Sequence, residues 1–210
     1  MIKLIINADD FGYSKLFNEK ILELIEKGFI KSTTVLVNSI TPDQKQQVAR
    51  LKTLMQRERV STGLHCEFDI SKPLRAQIQS QYELFKKIFG AEPSHLDIHK
   101  LDKDKPVVAA VYGFAEGCGL PARNNRLKTK AKRTSQPAIS ATHLTFEELK
   151  AVVGQLKDGE SYELVTHPGA YDPDCKSSLN KERGIDYNNI IKIQDFLKRK
   201  KIRVINYYNL

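Results

Sequence analysis

The strongest constraint on this chain is the position of its acidic and imidazole side chains relative to its short apolar segments. Lys3–Ala8, Ser32–Val37, Thr62–Phe68, His95–His99, Leu120–Arg123, Tyr162–Thr166 and Lys201–Tyr207 are short, apolar or β-branched, and read as strands. Between them, helical spacing marks Ser14–Lys27, a segment opened by Thr41, Leu74–Ile88, Pro106–Ala115, Thr145 to about Leu156, and Asp186–Lys198. Gly28 is a natural helix stop. Thr41-Pro42-Asp43-Gln44 and Thr145-Phe146-Glu147-Glu148 both read as capping boxes that open helices. Strand–helix alternation repeated about seven times implies a parallel sheet with helices outside it. No Gly-rich phosphate loop follows the first strand, which weighs against a nucleotide-binding open sheet. Asp9 and Asp10, Asn38, His65, His99, Arg123 and His167 each fall at or just past the C-terminal end of a different strand. A barrel brings such ends to one rim, where barrel enzymes build their sites. The expected fold is therefore α/β: one domain over residues 1–210, a distorted, TIM-barrel-like (β/α) barrel of about seven parallel strands.

Composition narrows the function classes. At 210 residues, 40% hydrophobic and 28% charged, the chain can bury one full core and is not expected to be disordered. No apolar run approaches the roughly 18–20 residues of a membrane span, so no membrane partner is expected. Met1–Ile6 runs directly into Asn7 and two acids, too short for a signal peptide, and reads as a first strand. Cys66, Cys118 and Cys175 are odd in number and contain no C-x-x-C pair, which argues for reduced thiols and a cytoplasmic protein. The net charge of +9 is concentrated in Arg123–Arg133 and Lys198–Arg203. Few aromatics interleave with these charges and no recognition helix is visible, so they read as solvated surface and not as a nucleic-acid site.

The acids and histidines carry the chemistry. Asp9 and Asp10 are adjacent, and neighbours on a strand face opposite ways, so both enter one site only if the chain bends near Gly12. Two carboxylates in one pocket allow one to hold a metal while the other takes a proton. The competing reading makes them a cap and dipole partner for the helix beginning near Ser14. Period two places Gly63, His65 and Glu67 on one face. His95 and His99 share a face but stand about 13 Å apart along a strand and cannot ligate one ion together. His99, at the rim end, is the expected ligand, and His95 and His143 are expected to be packing residues. Two imidazoles and a carboxylate leave coordination positions open for water and substrate. His167, where a strand breaks before Pro168-Gly169, reads as a fourth ligand, a general acid or a turn residue. Arg123 and Asn38 are candidate substrate-binding residues, although Arg123 also reads as the start of the basic surface loop.

Asn7-Ala8-Asp9-Asp10-Phe11-Gly12-Tyr13-Ser14, Lys31–Asn38, Gly63-Leu64-His65, His95–His99 and His167-Pro168-Gly169 resemble the YdjC-like carbohydrate deacetylases, which include chitooligosaccharide deacetylases. The resemblance implies a distorted barrel and a divalent-metal hydrolase that removes acetyl groups from N-acetylated sugars. It matches Asp10, His65 and His99 to the metal ligands, Asp9 to the catalytic base and His167 to the acid. It also implies a homodimer and magnesium, whereas two imidazoles favour zinc or another late transition ion. The family continues with further histidines where this chain has Lys100-Leu101-Asp102. Two other functions compete: a sugar-binding barrel without turnover, and a metal phosphoesterase, which would require two ions and more carboxylates.

Overall fold

The computed structural model describes all of residues 1–210. The seven strands are β1 (Lys3–Phe11), β2 (Ser32–Val35), β3 (Ser61–Cys66), β4 (Leu96–Ile98), β5 (Ile139–Ser140), β6 (Ser161–Thr166) and β7 (Arg203–Ile205). They form one parallel sheet ordered β4-β3-β2-β1-β6-β5, with β7 against the start of β1. The sheet is curled into a distorted barrel. Near β4 and β5 the wall is completed by single contacts: a Leu96–Ala122 bridge and a hydrogen bond from Ala138 N–H to the Asn124 carbonyl. The helices α1 (Lys15–Glu26), α2 (Lys45–Gln56), α3 (Leu74–Phe89), α4 (Lys105–Cys118), α5 (Phe146–Gly154) and α6 (Arg183–Arg199) surround it.

Period two sorts the strands' side chains. On β1, Leu4, Ile6 and Ala8 face outward into a large apolar cluster shared with the helices. Ile5, Asn7 and Asp9 face inward. The interior is polar over much of its height. Ser32 donates to the Asn7 side chain, Thr34 donates to Asp9 at 2.9 Å, and Tyr207 donates to Glu163 at 2.6 Å. These pairings remove most of the cost of burying the groups that make them.

His95 is fully buried in this interior, its ring stacked on Tyr207 at 3.6 Å and 8°. Burial pushes its pKa well down, so the ring is neutral. A Cβ at Gly63 would lie 2.5–2.7 Å from three atoms of that ring. Gly63→Ala is therefore expected to destabilise the fold by about 1–3 kcal/mol through overpacking, a fall in Tm of roughly 2–12 °C. Thermal denaturation reads this directly, and an unchanged Tm would mean that the His95–Tyr207 stack yields.

Local sequence signals fail in five places. The Thr41 capping box does not form: Thr41 precedes a short 3-10 turn, Pro42–Gln44, and Gln44 is buried and donates to the Gly12 carbonyl at 3.0 Å. The Thr145–Glu148 box forms as expected. Strand β2 stops at Val35, and a 3-10 turn, Val37–Ser39, carries Asn38 to the surface. Leu120–Arg123 contributes one bridge in place of a strand, and the two-residue β5 was not anticipated. Helix α6 begins at Arg183, a turn before the expected start at Asp186.

Candidate metal centre and active site

The two adjacent acids do reach one site, because β1 bends where they lie. The pairing of β1 with β2 shifts register between Ala8 and Phe11, and Asp10 has φ 72°. Left-handed backbone is uncommon for a residue other than glycine and marks local strain. Gly12, at φ 100°, completes the turn, and any Cβ there would meet the Leu36 carbonyl at 2.8 Å.

Three atoms then converge. Asp10 Oδ1, His65 Nε2 and His99 Nδ1 form a triangle with edges of 3.2 Å (Asp10–His65), 3.3 Å (Asp10–His99) and 3.2 Å (His65–His99). Bonds of about 2.1 Å to one ion place neighbouring ligands about 3.0–3.4 Å apart in octahedral and tetrahedral geometries, so the triangle fits a single cation. Asp10 Oδ1 is buried with no hydrogen-bond donor. An unpartnered buried carboxylate oxygen facing two imidazole nitrogens is what a missing cation would satisfy. A second cluster of Asp9, His65 and Asp97 also converges. Its acids are already engaged, because Arg123 is ion-paired to both.

The surrounding partners orient these side chains. His65 Nδ1 lies 2.6 Å from Asp97 Oδ1, which directs Nε2 at the triangle. Burial disfavours charge on His65, yet Asp97 and Asp9 outweigh it and push its pKa well above the usual imidazole value. A cation at the triangle would take the place of the proton on Nε2. Burial would likewise raise the Asp10 pKa, but His65, His99 and Arg183 hold it well below the usual carboxylate range.

Asp9 lies beside the triangle, its Oδ2 4.0 Å from His65 Nε2. Arg123 grips both its oxygens, at 2.9 and 2.7 Å, and also donates to Glu163 at 2.9 Å. Burial alone would raise the Asp9 pKa, but Arg123, then His65, bring it far below the usual value. Arg123 is only 5% exposed. It therefore belongs to the site and not to the basic surface loop. Nε2 of His167 is 3.8 Å from Asp9 Oδ2, while Nδ1 meets Thr142 Oγ1 at 3.0 Å and the backbone N–H donates to Asp186 at 2.7 Å. Burial lowers the His167 pKa, the nearby carboxylates only partly opposing it.

These groups open into a cavity of about 770 Å³ whose lining includes Asp9, Asp10, His65, His99, Arg123 and His167. The structure thus gathers every candidate except Asn38, which is exposed and does not line the cavity. Lys100 and Asp102, standing where further histidines were expected, also line it.

A profile of the family described as "YdjC-like protein" matches residues 3–77 and 71–196. The chain belongs to the YdjC-like family. This YdjC-like protein is 24% identical over 250 residues to carbohydrate deacetylase 2 of Listeria innocua, covering 100% of this chain and 99% of the relative. It is 29% identical over 212 residues to a chitooligosaccharide deacetylase of Klebsiella pneumoniae, covering 80% of this chain and 82% of that one. Among solved structures, an Enterococcus faecalis V583 protein named for cellobiose-phosphate cleavage superposes with a TM-score of 0.82 at 19% identity, covering 99% and 98% of the two chains. A family 4 acetyl xylan esterase from Clostridium thermocellum, solved with a cobalt ion, gives 0.58 at 13% identity, covering 99% and 89%. At these identities, the two structures establish the fold alone.

Sequence reading missed four contributors to the site. Asp97 was findable, since it shares the inward face with His95 and His99 by period two. Glu163, Asp186 and Arg183 carry no local signal, because their partners are distant in sequence. Arg183 donates to Asp10 and lies 1% exposed.

Proposed function

We propose that this YdjC-like protein is a metal-dependent carbohydrate deacetylase that hydrolyses the acetamide of an N-acetylated sugar or oligosaccharide. The observation that carries the reading is the Asp10–His65–His99 triangle with its unpartnered oxygen, flanked within 4.0 Å by Asp9. The names of the curated relatives supply the acetylated carbohydrate. A divalent ion held by Asp10, His65 and His99 would polarise the acetyl carbonyl and bring the pKa of a water toward about 7. Zinc or another late transition ion suits the two imidazoles, and magnesium is the choice the family resemblance implies.

The chain's own residues then divide the proton handling. Asp9 receives the proton of the attacking water at Oδ2, with Arg123 fixing the carboxylate's orientation. His167, on the same side of the cavity, delivers a proton to the departing amine, which otherwise leaves poorly. Because burial lowers its pKa, protonated His167 is a stronger acid than a free imidazolium. It is also less populated, so activity declines as pH rises through the lowered value. A phosphoesterase fits less well: Asp9 and Asp97, the acids a second ion would need, are both committed to Arg123.

The direct test is acetate release from a panel of N-acetylated oligosaccharides, by metal-stripped and metal-restored protein, alongside phosphate release from phosphosugars. Acetate release restored by metal supports the reading, and phosphate release alone would overturn it. Within this scheme His167→Gln is expected to lower turnover by roughly 10²–10⁴-fold with metal content unchanged and the alkaline decline in rate removed. Loss of the ion in that variant would move His167 into the coordination set.

A second reading has one observation in its favour. Both oxygens of Asp9 are held by Arg123 and its pKa is strongly depressed, which makes it a weak base. In that reading His167 collects the water's proton and then passes it on, with Asp9 orienting the ring.

A further inference from the structure

Arg183 heads the fully buried large side chains of the molecule, yet the reaction above gives it no task. It stands in the first turn of α6, with its guanidinium carbon 3.9 Å from the centroid of the Phe17 ring. Nη2 donates to Asp10 Oδ2 and, at 3.1 Å, to Ser177 Oγ. Nε and Nη1 have no partner. A buried guanidinium ordinarily has its donors satisfied, since desolvating a charge is costly unless hydrogen bonds offset it. Here its only charged partner is the second oxygen of a candidate metal ligand. The space around it is also reserved: a Cβ at Gly169 would lie 3.0–3.1 Å from the Arg183 side chain and 2.8 Å from Phe17.

We propose that Arg183 is a positioning residue that makes Asp10 a one-oxygen ligand aimed at His65 and His99. With Oδ2 held by Arg183, Oδ1 alone faces the two imidazoles, at 3.2 and 3.3 Å. Asp10 sits at φ 72°, so its backbone does not rest in an ordinary well and its side chain is fixed from outside. The carboxylate has two wells open to it about its terminal bond, and the guanidinium selects one. Arg183 also ties this ligand to other parts of the site. Its carbonyl accepts the Gly169 N–H at 3.2 Å, two residues after His167, and Asp186, one turn on, accepts the His167 N–H. Through Ser177 it meets a wall of the cavity. The first turn of α6 therefore orients the ligand carboxylate and the facing imidazole together. This inference rests on the metal-centre reading of Asp10, His65 and His99.

Two effects of Arg183 on a cation oppose each other. Its positive charge repels the ion, whereas its grip on Oδ2 prepays the ordering of the ligand. Partners that orient metal ligands are typically worth about 10–100-fold in affinity, and the proposal is that ordering dominates. Arg183→Met removes both effects, and Arg183→Lys keeps the charge but loses the planar fork and its stacking on Phe17. Metal-stripped parent and variants are titrated with zinc by calorimetry, and the Tm of each metal-free protein is measured beside it. Both variants are expected to bind roughly 10–100-fold more weakly than the parent, still at one ion per chain. Unchanged or tighter binding in folded Arg183→Met overturns the proposal, as does a Tm loss in both variants with no change in affinity. If Arg183→Met does not fold, unchanged affinity in Arg183→Lys overturns it alone. A parent chain that binds no ion overturns the metal centre itself, and this inference with it.

Discussion

Replacing Asp9 by asparagine is expected to lower turnover by roughly 10²–10⁴-fold while leaving the metal site able to fill. An amide cannot accept the water's proton, yet it is nearly the same size as the carboxylate, and Arg123 keeps Asp97 at 2.7 Å and Glu163 at 2.9 Å. The Asp10–His65–His99 triangle does not include Asp9 in its edges, so the ligand atoms stay in place. The measurement is kcat together with metal content, over a range of pH. In the parent, the Asp9 carboxyl is held far below the usual range, so it stays ionised throughout and contributes no acid limb near neutrality. If Asp9→Asn retained turnover within about tenfold of the parent, the base would have to be another group. His167, neutral in the resting site and 3.8 Å from Asp9, would take that role.

Loss of either imidazole is expected to abolish stoichiometric metal binding, and activity with it. His65→Ala and His99→Ala each reduce the triangle to two ligands, too few to hold a divalent ion against water at ordinary concentrations. His99→Ala is the cleaner variant, because His99 is half-buried and its removal strands no strong partner. His65→Ala also leaves Asp97 Oδ1 without its 2.6 Å contact, and a stranded buried acceptor costs about 1–3 kcal/mol of stability. His95→Ala is the control. Its ring stacks on Tyr207 below the site, so metal content should not change even if Tm falls. Elemental analysis of the purified proteins decides the matter, and full occupancy in both His65→Ala and His99→Ala would remove the assignment.

The site is assembled in layers whose floor lies deep in the barrel. Tyr207 holds Glu163, Glu163 and Asp97 hold Arg123, and Arg123 holds Asp9. Asp97 also holds His65. The polar interior thus supports the rim: Arg123, Asp9 and His65 each have their orientation set by a buried partner.

How much of this was legible in the sequence follows from the range of the interactions involved. The alternation of β-branched and helical segments is short-range information, and it was enough to give the parallel barrel and the one rim on which Asp9, Asp10, His65, His99 and His167 meet. The Thr145 capping box is equally local and formed as read. Thr41 carried the same local signal, but burial of Gln44 against the Gly12 carbonyl, 32 residues away, overrode it. Asn38 sat at the end of a plausible strand, and only the early stop of β2 turned it to solvent. Arg123 read both as a substrate-binding residue and as the first charge of a basic loop, and closure of the barrel placed it against Asp9, 114 residues distant. Arg183 reaches Asp10 across 173 residues. Pairings of that span depend on how the barrel closes, because no propensity or spacing within a segment encodes which buried charges will face each other. Sequence by itself therefore determined which acids and imidazoles stand together on one rim. The tertiary structure decided which arginine aims each carboxylate, since that geometry exists only once both ends of the chain have packed around β1.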